Sequence, residues 1–213
     1  MCIRDRARRM LIIGGGDGGT LREALKHVQL FVTLCEIDAS VIDLSRRFFP
    51  MISQGAFDHP RAEIVIADGV RFLADTSERF DIIAVDSTDP IGPAAALFTR
   101  VFYESCRKAL NPDGVLITQS GIPFVQAEEL RQSVAHFRAL FADASALMLH
   151  SPTYIGGPMA LGWATDDVTL RKTPLDDLRS RFEASGISTR YYSPEVHQAA
   201  FALPGYVAEL VRG

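Results

Sequence analysis

Residues 11–25 read LIIGGGDGGTLREAL. The apolar run Leu11–Ile13 meets a loop, Gly14-Gly15-Gly16-Asp17-Gly18-Gly19, in which one acid interrupts the glycines. Thr20 then opens a helical stretch to about His27, with Leu21, Ala24, Leu25 and Val28 recurring on one face. Strand, glycine loop and helix in that order are what a nucleotide-type ligand needs, because glycine lets the backbone approach it closely. A tight turn accounts for the same glycines, and the loop alone does not choose between them. Asp17 is the odd member. A carboxylate gains nothing beside a phosphate, since like charges repel, so the loop suits a ligand that is cationic where it passes.

The pattern repeats downstream. Phe31–Cys35 is an apolar, β-branched run ending at Glu36, and Ser40–Phe49 reads as a helix stopped by Pro50. Ala62–Ala67 is a third strand ending at Asp68-Gly69, with a helix after it through Phe72 and Leu73. Asp81–Val85 is a fourth, ending at Asp86. Phe98–Leu110 is helical, Asn111-Pro112-Asp113-Gly114 is a strong turn signal, and Val115–Thr118 is a fifth strand. Alternation at this spacing predicts an α/β fold with a doubly wound, mostly parallel sheet, covered on both faces and joined by right-handed crossovers. The remainder carries a helix near Glu128–Phe141, apolar segments near Ala144–Leu149 and Met159–Ala164, and a helix over about Pro174–Ser185. These are expected to add antiparallel edge strands. No linker or repeat interrupts the pattern, which predicts a single domain over residues 11–213 behind a tail of residues 1–10.

The 213 residues are 47% hydrophobic and 23% charged, with a net charge of −4. That composition excludes disordered, collagen-like and disulfide-scaffold classes. The acidity and the single short basic run, Arg4–Arg9, argue against a nucleic-acid partner. No run approaches the roughly 18–20 apolar residues needed to cross a bilayer, and no apolar secretory core follows the basic start. Cys2, Cys35 and Cys106 lie far apart with no metal-ligand spacing, which predicts a reducing, cytoplasmic compartment and no metal.

In doubly wound sheets, ligands sit beyond the carboxyl ends of the strands. Asp17, Glu36, Asp68 and Asp86 each follow a different strand. An acid at Glu36, roughly 20 residues past the glycine loop, can accept hydrogen bonds from both ribose hydroxyls; a surface carboxylate is the plain alternative. Asp38, two residues on, reads as a helix N-terminal charge. Asp68 can bond an adenine amino group with Gly69 leaving room for the base, or it can cap the next helix; both can hold. The string Asp86-Ser87-Thr88-Asp89-Pro90-Ile91-Gly92-Pro93 sets two acids ahead of two prolines around a glycine. Turn chemistry explains Pro and Gly but not the acids. A general base needs a fixed carboxylate in a partly desolvated site, which fits Asp86, and the second acid suits an ammonium group.

Six strings occur together: GGGDGGTLRE (Gly14–Glu23), CEID (Cys35–Asp38), IADG (Ile66–Gly69), DSTDPIGPAAALF (Asp86–Phe98), SPTYIGG (Ser151–Gly157) and RYYSPEVHQAAFALP (Arg190–Pro204). In that order they resemble bacterial-type spermidine synthases, the polyamine aminopropyltransferases, and the likeness runs from about Leu11 to Pro204. It implies a Rossmann-like fold similar to class I AdoMet-dependent methyltransferases. On matching positions it implies that Gly15 and Asp17 meet decarboxylated AdoMet, with Asp17 on the aminopropyl ammonium, Glu36 on the ribose and Asp68 with Gly69 on the adenine. Pro93 would line the nucleoside pocket. Asp86 would accept the proton, with Asp89 and Tyr154 beside the diamine. Arg22 and Glu23 would be structural, and Tyr191, Tyr192 and His197 would pack near the closing strands.

The resemblance further implies putrescine and decarboxylated AdoMet as small-molecule substrates and spermidine and methylthioadenosine as products. No separate cofactor or metal is implied, nor any nucleic-acid or membrane partner; a homodimer or homotetramer is. Relatives carry a β-rich segment ahead of the glycine loop that supplies Gln, Tyr and His contacts; Met1–Met10 is all that precedes the first strand here, so the expectation is a truncated synthase keeping the nucleoside half of the site and the base. Two alternatives stand beside aminopropyl transfer: a methyltransferase acting on an amine, and an inactive fragment that binds nucleoside or polyamine.

Overall fold

A computed structural model describes residues 7–153 and 155–213. Tyr154 and the first six residues, Cys2 among them, lie outside the described residues. The chain falls into two compact units, residues 7–118 and residues 119–213.

In residues 7–118, β1 (Arg9–Gly14), α1 (Gly19–Leu25), β2 (Phe31–Glu36), α2 (Ala39–Phe48) and α3 (Pro50–Ser53) alternate as the pattern requires. They continue into β3 (Ala62–Ile66), α4 (Gly69–Asp75), β4 (Phe80–Asp86), a 3-10 stretch over Gly92–Phe98, α5 (Arg100–Ala109) and β5 (Leu110–Gln119). Strand order is β3-β2-β1-β4-β5, and every neighbouring pair is parallel. β1 and β4 are buried almost throughout, as central parallel strands with both faces covered must be. Leu11, Ile12, Leu34, Ile83 and Leu116 form the middle of this core, and Phe102, Tyr103 and Cys106 of α5 are likewise fully buried.

Three stretches fold with features their local sequence does not display. Val28 does not share the buried face of α1: the helix ends at Leu25, and Val28 is 81% exposed in the turn beyond it, where helical periodicity no longer applies. Pro50 ends α2 but also begins the short helix α3, since a proline is well tolerated at a first helical position. Asn111-Pro112-Asp113-Gly114 is an irregularity inside β5 rather than a turn before it. Phe80 pairs with Leu110 but Ile82 pairs with Val115, so the extra residues bulge out of the ladder. The Asn111 side chain pins the bulge by donating to Asp81 Oδ1 at 2.8 Å.

In residues 119–213, α6 (Ala127–Leu140) packs on an antiparallel pair, β6 (Asp143–Leu149) and β7 (Met159–Thr165). Helices α7 (Leu175–Ser185), α8 (Pro194–Ala200) and α9 (Gly205–Arg212) follow. α8 and α9 have no counterpart in the sequence expectation. The Arg171 guanidinium closes on Asp143, with Nε donating to Oδ2 at 2.7 Å. Among the described residues no helix is long and apolar enough to cross a membrane.

Candidate active site

The parallel order sets the ends of four strands side by side: Ile66 of β3, Glu36 of β2, Gly14 of β1 and Asp86 of β4. The ladder pairs Glu36 with Ile66 and Gly14 with Asp86, so the acids read at separate places in the sequence lie along one edge.

The glycine loop is built against two of them. The amide of Gly15 donates to the Asp86 carbonyl at 2.9 Å, and that of Gly18 to the Gly15 carbonyl at 2.9 Å. A Cβ on Gly16 would come 2.7 Å from Glu36 Oε2 and 2.8 Å from Val41 Cγ1, so only glycine leaves room for the carboxylate there. Glu36 is buried at 7% exposure, and its Oε1 accepts the Asp38 amide at 3.1 Å. Asp17 is exposed at the outer bend, with Oδ1 accepting the Gly19 amide at 2.8 Å. That bond fixes the loop as it enters α1 and holds the carboxylate on the loop's open side.

Asp38 and Asp68 each cap a helix. Asp38 Oδ1 accepts the Ser40 amide at 2.8 Å at the start of α2. Asp68 Oδ1 accepts the Val70 amide at 2.8 Å at the start of α4. Ala67, Asp68, Arg71 and Phe72 line a hollow over this helix end together with Asp75 and Thr76. Gly69 is buried, and its close neighbour is Ile13: a Cβ there would lie 2.5 Å from Ile13 Cγ2. Packing of α4 on β1 therefore requires this glycine whatever the ligand.

Asp86 is exposed, not desolvated as a general base was expected to be; its fixation comes from hydrogen bonding instead. The Thr20 hydroxyl donates to Asp86 Oδ2 at 2.7 Å. In the sequence Thr20 marks only the start of a helix, and its hydroxyl just past the glycine loop is the one signal of a further role. Asp89 is half-buried in the loop after β4, where its carbonyl accepts the Ile91 amide at 2.6 Å, and Pro93 is exposed at the start of the 3-10 stretch. Tyr154 lies outside the described residues.

Neighbouring groups are structural. Arg22 Nε pairs with Glu23 at 2.9 Å, and its other arm reaches the Ile52 carbonyl. Cys35 is buried behind Glu36, and burial, aided by the Glu36 and Asp68 charges, pushes its thiol up to about 11. Burial also raises Cys106. Neither thiol supplies a nucleophile at neutral pH. His197 packs edge-on against Tyr192 at 5.7 Å and beside Phe201 at 5.8 Å.

Residues 1–173 match the spermine/spermidine synthase domain. The chain belongs to the spermine/spermidine synthase family. The polyamine aminopropyltransferase of Ruegeria sp. (strain TM1040) is 54% identical over 205 residues, which are 96% of this chain and 72% of the relative. Polyamine aminopropyltransferase 1 of Pseudomonas aeruginosa is 53% identical over 206 residues, again 96% of this chain and 72% of the relative. Among solved structures, a spermidine synthase in complex with the transition-state analogue AdoDATO superposes with a TM-score of 0.89 at 36% identity, covering 97% of this chain and 70% of that one. The Thermotoga maritima spermidine synthase gives a TM-score of 0.85 at 35% identity, covering 97% of this chain and 68% of that one. The doubly wound sheet is thus that of the spermidine synthases, and the chemistry is that of a polyamine aminopropyltransferase.

Proposed function

We propose that this family member transfers the aminopropyl group of decarboxylated AdoMet to putrescine, giving spermidine and methylthioadenosine, with Asp86 accepting the proton. The observation that carries the reading is the convergence of Glu36 and Asp86 on one glycine loop, at the carboxyl edge of adjacent parallel strands.

Each residue then has a task its surroundings suit. Glu36, with Oε1 held by the Asp38 amide, presents Oε2 at the loop for the ribose hydroxyls. Asp68, with Oδ1 held by its cap, has Oδ2 for the adenine amino group. Asp17, exposed at the bend, meets the aminopropyl ammonium. The α-carboxylate of intact AdoMet would meet the same charge and be repelled, which favours aminopropyl over methyl transfer. Gly15 and Pro93 flank the nucleoside, and Asp89 and Tyr154 serve the diamine.

The chemical step needs little beyond placement and one proton. The diamine nitrogen attacks the methylene carbon next to the sulfonium. The C–S bond breaks, its electron pair returns to sulfur, and the leaving thioether is neutral, so no acid is required. An alkyl ammonium has a pKa near that of lysine, about 10.4, so the nucleophile arrives protonated and must lose that proton. Asp86 receives it. Holding nitrogen and carbon about 3–3.5 Å apart and in line supplies most of the remaining acceleration.

The purified chain, given putrescine and decarboxylated AdoMet, should release methylthioadenosine. Asp86→Asn should lower turnover by roughly 10²–10⁴-fold, the usual contribution of a general base, while methylthioadenosine binding by calorimetry stays within about threefold of the parent. Unchanged turnover in that variant removes Asp86 from the role, and tighter binding of intact than of decarboxylated AdoMet removes Asp17 from its own.

A further inference from the structure

We infer that Thr20 is a positioning residue for aminopropyl transfer: its hydroxyl, at the start of α1, holds the Asp86 carboxylate in the orientation that accepts the proton. This rests on the assignment of Asp86 as the base.

Asp86 ends a central strand with its side chain exposed. An exposed aspartate is free to rotate about χ1 and χ2, and each rotamer aims its oxygens elsewhere. Two features remove that freedom. The Thr20 hydroxyl reaches Oδ2 at 2.7 Å, the range of a charge-assisted O–H to carboxylate bond. An ionised carboxylate can only accept, so the hydroxyl is the donor. Gly15 supplies the second: a Cβ at that position would come 3.0 Å from the same Oδ2, so this oxygen rests against bare loop backbone. Oδ2 is thereby tied to the loop and Oδ1 is left to meet the substrate nitrogen.

The link also couples the base to the nucleoside loop. Thr20 follows directly on the loop, and Gly15 within it is bonded to the Asp86 main chain at 2.9 Å. Loop and base therefore move as one piece, and the geometry between electrophile and proton acceptor is set before the diamine arrives. Misplacement of about 1 Å can cost on the order of 10²-fold in rate.

The test is a steady-state comparison of Thr20→Val, which keeps shape and removes the donor, with Thr20→Ser, which keeps the donor. Asp86→Asn is run alongside. Thr20→Val should lower kcat by about 10- to 100-fold, with KM for both substrates within about threefold. Thr20→Ser should restore kcat to within about threefold of the parent. Thr20→Val added to Asp86→Asn should cost less than about threefold more, since the hydroxyl acts through the carboxylate. Parent-like kcat in Thr20→Val overturns the inference. So does a raised KM for decarboxylated AdoMet with kcat unchanged, or a Thr20→Ser variant as slow as Thr20→Val. If Asp86→Asn itself turns over normally, or the unaltered chain releases no methylthioadenosine, the assignment of the base has failed and the inference falls with it.

Discussion

Gly14 faces Asp86 across the β1–β4 ladder so closely that a Cβ on Gly14 would lie 2.3 Å from the Asp86 carbonyl oxygen. That oxygen already accepts the Gly15 amide, and Gly14 has φ 80°. Gly14→Ala therefore meets a steric wall and left-handed strain together, the latter alone costing about 1–2 kcal/mol. Because the wall is main chain, relief must displace the end of β4 and the base with it. The variant should lose at least about 2 kcal/mol in urea denaturation and bind methylthioadenosine at least tenfold more weakly by calorimetry. Parent-like values in both measurements would mean that loop and strand end can part without consequence.

Asp68 caps α4 through Oδ1, and the proposal gives its other oxygen to adenine. The two roles separate by substitution. Asparagine caps about as well as aspartate, whereas alanine costs roughly 1 kcal/mol. Asp68→Ala should lose both stability and nucleoside affinity. Asp68→Asn should keep its denaturation midpoint yet bind methylthioadenosine more weakly, because a neutral acceptor makes the weaker hydrogen bond. An Asn variant with undiminished affinity would reduce Asp68 to a cap.

The strand ends were legible because each joins two strong signals, an apolar β-branched run and an acid followed by helix-starting residues. Glu36 and Asp86 stand where that reading put them. Thr20 was not legible as a partner of Asp86, since the two are 66 residues apart in sequence and meet only through the β1–β4 pairing. Nor was the exposure of Asp86, because nothing in a strand-end acid tells how much chain will cover it. The bulge at residues 111–114 was hidden for a like cause. A Pro-Asp-Gly turn signal is local, and β4 overrides it by pairing on both sides of the bulge. α8 lacked a long period, yet Ser193 does cap it, its hydroxyl accepting the Val196 amide at 3.2 Å.

Arg61 fixes the end of α1 at the sheet edge away from the acids. Its guanidinium donates to the carbonyls of Leu25 at 2.8 Å, of His27 at 2.7 Å and of Leu30 at 2.7 Å. Carbonyls in the last turn of a helix have no intrahelical partner, the His27 carbonyl just beyond it also accepts the Leu30 amide at 3.0 Å, and hydrogen bonds to a charged group contribute about 1.5–3 kcal/mol. Arg61→Ala should destabilise the chain by about 2–3 kcal/mol in urea denaturation. Arg61→Lys should recover less than half, because a single ammonium cannot reproduce the planar fork. Affinity for methylthioadenosine should stay within about threefold in both. A loss of affinity without a loss of stability would show that Arg61 acts on the site and not on the helix end.

His197 gives the fold a defined acid sensitivity. Burial lowers its pKa from the ordinary 6.5 to about 4, because a buried ring is charged at a cost. The unfolded chain takes up the proton near 6.5 and the folded chain only near 4. Between those values the unfolded state binds more protons, so stability falls as pH drops through the window and is fully present above it. A shift of this size corresponds to at most about 3.4 kcal/mol at 1.36 kcal/mol per unit, and the ring's partial exposure to solvent reduces that to about 1–2 kcal/mol. His197→Phe keeps an aromatic ring between Tyr192 and Phe201 but removes the titration. Urea denaturation at pH 7 and pH 4.5 should show a stability difference about 1–2 kcal/mol smaller in His197→Phe than in the parent. An identical difference in the two proteins would place the acid sensitivity in other groups.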